Sequence, residues 1–298
     1  MAPLIPRMHV FEFADFEWFP NFLRGYFQAA LTAAWTTHIP LLQTSSPASL
    51  VAHLLLSHLP RSTLHSHTFI DFCAGGGGPT PSIEAALNGT LQSRAAKSGE
   101  KFTPLRFVLT DLHPHVELWE KAAEKSGNVG FVKEPVDAAR GGEVVERFSR
   151  GGGRVFRLFN LAFHHFGDGL AREILKDTVE GGGDGFGIFE LQDRGINGFL
   201  SCLLFGVGTL VMAPYYAMLW GAPLALFFTY VVPILPAVLV FDGWMSCLRT
   251  RTADEVEALL RTCGAAEDEI AKWELKSGSE EFMWPVGKVN WVICVKRE

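Results

Sequence analysis

Four groups of residues combine types and spacings that can do chemistry. The first runs Thr68-Phe69-Ile70-Asp71-Phe72-Cys73-Ala74-Gly75-Gly76-Gly77-Gly78-Pro79-Thr80. An apolar run ends on an acid, turns through glycines and enters a helix. Glycines at such a turn let the backbone approach a ligand with no Cβ in the way. The amides opening the next helix point at an anionic group. This is the pattern of a nucleotide-like cofactor site. The second group, Phe107-Val108-Leu109-Thr110-Asp111, ends the next apolar run on an acid. Such an acid is placed to take the hydroxyls of a ribose, although a lone Asp after a strand also caps helices. The third, Glu134-Pro135-Val136-Asp137, offers a carboxylate to an adenine amino group, or else forms a surface turn. The fourth is Phe159-Asn160-Leu161-Ala162-Phe163-His164-His165-Phe166. Open parallel sheets bind ligands at the carboxyl ends of their strands, so Asn160 and both histidines reach the mouth of a cleft. Histidine titrates near neutral pH, which makes His164 or His165 the candidate general base. The competing reading is that they cap or pack against the next helix.

These groups need a scaffold, and the periodicity supplies one. From residue 68 short apolar runs (68–73, 106–110, 129–133, 154–159 and 186–191) alternate with helical stretches beginning near Pro81, Pro114, Gly142 and Asp168. That alternation predicts a parallel sheet with crossover helices. Asp168 reads as an N-cap and Gly181 as a stop. Thr252 with Glu255 predicts a capping box opening a last helix over 253–263. Strands over 271–276 and 288–296 close the chain as an antiparallel edge. The polar stretch 88–104 reads as a surface loop. Ahead of the sheet, residues 1–67 form an aromatic, helical cap, with helices over 28–35 and 49–58. Within it Trp18 and Phe19 are candidates to wall an apolar acceptor. Glu12, Asp15 and Arg24 there, like Asp242 and Arg249 later, are charges in apolar surroundings that need partners or a ligand.

The remaining feature is residues 195–241, which hold no Asp, Glu, Lys or Arg. Two apolar halves, 199–220 and 223–241, flank a Gly-Ala-Pro turn, and each approaches the roughly 20 residues that cross a bilayer. Because the sheet resumes afterwards, both ends return to one side, as a helical hairpin would. Arg194, Arg249 and Arg251 flank it, which fits a cytoplasmic base. Gly206, Gly208, Pro214, Pro233 and Pro236 favour a re-entrant or interfacial path. The competing reading is a buried hairpin or a lid over the cleft. The expected domains are 1–67, the cofactor-binding core 68–194, the insert 195–241, and the rest of the core 242–298. A net charge of −6 argues against a nucleic-acid footprint, which needs a basic face. The five cysteines contain no C-x-x-C pair, so no zinc site or disulfide framework is indicated. No metal is expected.

The four motifs in this order resemble the class I S-adenosylmethionine-dependent methyltransferases. Asp71, Gly75 and Gly77 match their acid-x-Gly-x-Gly-x-Gly turn, with Cys73 standing where they carry glycine. Asp111 matches their second-strand acid and Asp137 their third. The 163–166 run looks like the paired-histidine stretch many of them carry. The resemblance covers residues 68–191 and the last strands. It implies an α/β fold, a Rossmann-like seven-stranded methyltransferase sheet with a helical N-terminal cap and a hydrophobic hairpin insert. It implies S-adenosylmethionine as cofactor, held by Asp71, Cys73, Gly75, Gly77, Asp111, Asp137 and Asn160. Catalysis falls to His164 or His165, and acceptor binding to Trp18, Phe19 and Arg24. The expected acceptor is a small, hydrophobic or membrane-partitioned molecule, met at the cytoplasmic side of a membrane. The chain also resembles a narrower group of methyltransferase-like proteins that share the aromatic N-terminus and the insert. Two other readings stand beside this one. One is a repurposed fold, either a cyclase or a membrane scaffold. The other is a nicotinamide-dependent oxidoreductase with a degenerate glycine fingerprint.

Overall fold

The computed structural model describes residues 3–297. The cap holds α1 (Asn21–Thr36), α2 (Pro47–His58) and the short α3 (Arg61–Leu64). The sheet region then runs β1 (His67–Phe72), α4 (Thr80–Ser98), β2 (Arg106–Thr110), α5 (Val116–Lys125), β3 (Val129–Phe131), α6 (Gly142–Ser149), β4 (Arg154–Asn160), α7 (Asp168–Glu180) and β5 (Gly185–Glu190). The insert contributes α8 (Ile196–Leu219), α9 (Leu224–Leu226) and α10 (Ile234–Arg249). The chain closes with α11 (Ala253–Arg261), α12 (Glu267–Ile270), β6 (Trp273–Met283) and β7 (Gly287–Lys296).

The seven strands lie in the order β3-β2-β1-β4-β5-β7-β6. β1 to β5 are parallel; β7 runs antiparallel to β5, and β6 to β7. The parallel strands are buried almost throughout because helices cover both faces, and the fully buried Arg157 on β4 is taken up by Asp177 at 2.7 Å. Alternate residues of β1 feed two cores. Ile70 and Phe72 meet Phe159, Ile174 and Leu260 on one face. Phe69 meets Phe107, Leu55, Ile83 and Trp35 on the other. Each of these fully buried side chains contributes roughly 1.5–3 kcal/mol. The path reverses between β1 and β4: β2 and β3 extend one way, β4 and β5 the other. A cleft therefore opens at the carboxyl ends of β1 and β4, where Asp71 and Asn160 stand.

Two local expectations give way. The stretch 88–104 is not a loop at its start, because α4 continues to Ser98. Its length follows from the helix formers at 91–97 and from Asn88 and Leu91, which turn inward. Gly99, in the left-handed conformation, ends it. Asp168 is not an N-cap. Gly167 holds that place, and Asp168 turns its carboxylate to Arg251 and Arg7 at 2.8 and 3.2 Å. Thr252 and Glu255 do form the reciprocal capping box.

The insert is a bent hairpin. α8 is unbroken for 24 residues, about 36 Å at 1.5 Å per residue, and tolerates Pro214. The return limb bends by 73° between 224–231 and α10, at Pro233. α10 continues past Phe241 to Arg249. A Cβ on Gly206 would collide with Val240, so the missing side chain is what lets α8 and α10 cross closely. The outer stripe of α8 is apolar and exposed: Leu203 44%, Val207 48%, Val211 71%, Met218 84%.

Candidate active site

The glycine turn joins β1 to α4 and is pinned from three sides. Ala74 N–H donates to the Thr110 carbonyl at 3.0 Å, and Gly75 N–H donates to Asp111 Oδ2 at 2.8 Å. Trp119, fully buried on α5, donates its indole N–H to the Gly75 carbonyl at 2.9 Å. Gly77 sits at φ +106°, beyond what a side chain readily adopts. Cys73 stands at φ +71°. A cysteine thus follows the left-handed path that a glycine would take, and burial pushes its thiol up, far from the reactive thiolate.

Asp71 lies beneath this turn rather than on it. Its Oδ2 accepts from the Thr80 hydroxyl, and from Asn160 Nδ2 at 3.3 Å. Asn160 also donates to Thr80 at 3.1 Å. Burial pushes Asp71 up to about 7 against these bonds. Asp71 Oδ1 and Asn160 Oδ1 are buried without a hydrogen-bond partner. Asp111 is half-buried, and its second oxygen accepts from His113 N–H at 2.8 Å. Asp137 is exposed and accepts from Ala139 N–H, capping a single turn over Ala138–Arg140.

Both histidines lie on one tight turn after β4, Phe163–His165. They differ sharply in surroundings. His164 is buried, with Nδ1 at 2.9 and 3.1 Å from the Glu190 carboxylate that ends β5. Its Nε2 faces Glu12 Oε1 at 3.9 Å. Burial alone would lower its pKa, but Glu190 and then Glu12 outweigh it and raise it above 6.5. Glu190 is held in turn by Gln192 Nε2 at 3.1 Å. His165 is exposed, 3.5 Å from Asp15 and 3.2 Å from Arg249 Nη1. Asp15 is held well below the usual carboxylate range: burial works against this, but bonds and charge from His165 and Arg249 prevail. Glu12, His164 and His165 converge closely enough to hold a cation. Arg249 Nη1, 3.0 Å from Glu12, supplies the positive charge there.

An apolar cavity of about 270 Å³ lies beside this cluster, between α1, α8 and the ends of β4 and β5. Phe205, Met212, Tyr216 and Leu239 wall it, and Gln43, Gln192, Ser201 and Thr229 are among its polar lining. The cap residues singled out in the sequence lie elsewhere. Trp18 is 66% exposed and stacks on Phe16. Phe19 is buried against Phe27. Arg24 turns back to the carbonyls of Phe16 and Phe19 at 2.8 and 3.4 Å. Arg194, Arg249 and Arg251 at the insert's foot are taken up by ion pairs to Glu255, Glu12 with Asp15, and Asp168. Glu190 and Trp119 were not found by sequence reasoning. Glu190 carried a signal, since it ends a strand beside the one ending in Asn160; Trp119 carried none.

The strand order with its antiparallel seventh strand, and the glycine turn after β1, define the scaffold. The fold is the seven-stranded methyltransferase fold. No protein-family model matches the sequence, and no curated protein is similar to it. Among solved structures, the chain is similar to a SAM-dependent methyltransferase from Anabaena variabilis at 14% identity, covering 100% of this chain and 99% of that one, TM-score 0.47. A second is a putative O-methyltransferase from Nostoc punctiforme, at 13% identity, 94% of this chain and 61% of that one, TM-score 0.46. A third is human N-acetylserotonin methyltransferase in complex with SAM, at 12% identity, 92% and 56%, TM-score 0.45. The chain thus spans almost all of the first and somewhat over half of the other two.

Proposed function

We propose that this chain is an S-adenosylmethionine-dependent methyltransferase acting on a small hydrophobic acceptor taken from a membrane. One observation carries the reading: at the end of the sheet where β1 leads into the glycine turn, a buried His164–Glu190 pair after β4 is bonded to Gln192, which lines an apolar cavity. The site's residues fit the cofactor. The turn presents bare backbone, Asp111 offers a half-buried carboxylate, and Asp71 and Asn160 hold two acceptor atoms that lack donors. When bound, the cofactor supplies an electrophilic methyl group.

The chain's own residues then have separable tasks. The turn, Asp111, Asp71 and Asn160 hold and orient. The cavity takes an apolar acceptor and excludes water, and Gln192, bonded to Glu190, joins its lining to the His164 pair. Glu190 keeps the proton of His164 on Nδ1 and leaves Nε2 as the nitrogen that takes a proton from an acceptor hydroxyl. The two carboxylates around the imidazole stabilise the charge it gains. Holding the reacting groups in line is the larger contribution. The exposed apolar stripe of α8 supports docking of the hairpin at a bilayer, because such patches on soluble surfaces mark interaction sites.

The test is calorimetry with S-adenosylmethionine and with NADH, followed by an assay for S-adenosylhomocysteine in the presence of a lipid extract. Binding of S-adenosylmethionine with turnover is expected. Binding without turnover on any acceptor favours a repurposed fold, and binding of NADH alone overturns the reading.

A further inference from the structure

We propose that Glu12, carried by an N-terminal strap lashed to the insert, is a positioning residue that sets the basicity of His164. The inference rests on reading His164 as the base. Residues 4–16 run as a strap along the foot of the hairpin. Specific polar contacts fix it along its length. Ile5 O accepts from Arg194 at 3.4 Å, and Met8 N–H donates to Leu248 O at 3.0 Å. Arg249 Nε donates to Val10 O at 2.5 Å. Asp242 accepts from the backbone N–H of Phe13 and Ala14 at 2.8 and 3.0 Å. Except for Arg194, these partners lie on α10. The strap's aromatic side chains Phe11 and Phe13 meanwhile pack on Phe241 of the same helix.

This fastening carries a carboxylate to a place where it is expensive to put one. Glu12 is 4% exposed. Burying a carboxylate costs several kcal/mol unless partners offset it. Glu12 Oε1 accepts from the Ser246 hydroxyl at 2.8 Å and from Arg249 Nη1 at 3.0 Å. Arg249, however, already has a less costly partner in the half-exposed Asp15 at 2.8 Å. An ion pair for Arg249 therefore does not explain why Glu12 is buried. What remains in front of Glu12 Oε1 is His164 Nε2 at 3.9 Å, the nitrogen that Glu190 leaves free.

Among the described residues, the charged or titratable groups facing His164 are few. Glu190 comes from β5, Glu12 from the strap, Arg249 from α10, and the His165 ring, 4.2 Å away between centroids, from its own turn. Asp15 neutralises His165 and Arg249 rather than His164. Among the described residues, Glu12 is thus the second carboxylate on the imidazole, and unlike Glu190 it is held in place by the insert. A carboxylate at this distance favours the protonated ring and raises its affinity for a proton. Loosening the strap from α10 removes that effect with Glu190 still in place.

The experiment is an NMR titration of 13C-ε1-histidine in the full chain in lipid nanodiscs. The His164 line is assigned by its loss in His164→Gln. In the wild type its midpoint lies above 6.5. Glu12→Gln keeps the shape and an acceptor for Ser246, and its midpoint falls by about one pH unit. Glu12→Asp gives an intermediate value and serves if the amide variant does not fold. Asp242→Asn, which weakens the strap, shifts the line the same way by less, and Asp15→Asn leaves it unmoved. The proposal is overturned if Glu12→Gln lowers the melting temperature but leaves the His164 midpoint in place while Glu190→Gln moves it. The titration reads this contact whether or not methyl transfer is ever observed, so the two readings fail separately.

Discussion

At the scale of single residues, His164 and Asp71 are both buried and both titrate away from their ordinary values, in ways that can be measured apart. His164 must be neutral to take a proton, and its carboxylate neighbours raise its pKa. Turnover should therefore fall as pH drops through a midpoint above 6.5. His164→Gln should lower kcat about 10²–10⁴-fold with cofactor affinity unchanged by calorimetry. Equal losses in both would place His164 in binding instead. Asp71 has the opposite consequence, for stability. Its folded value of about 7 lies above the ordinary 3.8, so between those two values the folded chain keeps a proton that the unfolded chain releases. Stability contributed by this group is present below pH 4 and is lost as pH rises toward 7, by a few kcal/mol at most. Asp71→Asn should flatten that slope in denaturant melts at pH 5 and pH 8; an unchanged slope would show that Asp71 ionises normally.

At the scale of elements, the glycine turn works because its neighbours fix a backbone path that side chains would obstruct. Gly77→Ala forces a side chain into φ +106°, at a cost of roughly 1–2 kcal/mol. Trp119→Phe removes the indole bond to Gly75 O, worth about 1 kcal/mol. Both should weaken cofactor binding in calorimetry, whereas Thr252→Ala, a comparable loss at the α11 cap, should lower only the melting temperature. The turn, Asp111 and the strand sequence were legible because period and glycine placement are local signals. The α4 extension was misread because polar residues such as Ser93, Arg94 and Lys97 on an exposed helix face look like loop residues. Glu190, 26 positions from His164, could be paired with it only once β4 and β5 were neighbours. The strap's contacts with α10, more than 200 positions apart in sequence, leave no periodic trace at all.

At the scale of the whole molecule, the buried cluster of His164, Glu190, Arg249 and Glu12 draws on the sheet, the insert and the N-terminal strap together. The cavity has its roof in α8, and Glu12 is tied to α10. The hairpin's charge-free composition made it visible in the sequence, but its bend at Pro233 and its role as cavity wall depend on packing. Placing glutamates on its outer stripe, at Val207 and Val211, should abolish flotation with phospholipid vesicles, since acidic side chains at bilayer depth cost about 2.5–3.5 kcal/mol each. Cofactor binding should be unaffected, and flotation retained by this variant would mean that the stripe does not contact lipid. One labelling measurement tests methyl transfer by this chain most directly. Full-length chain in nanodiscs is given S-adenosylmethionine with a labelled methyl group and a lipid extract, and label is followed into the apolar fraction. The wild type should transfer label, and His164→Gln should bind the cofactor yet transfer little. Label appearing equally with His164→Gln would contradict a role for His164 as the base, and no cofactor bound by the wild type would contradict methyl transfer altogether.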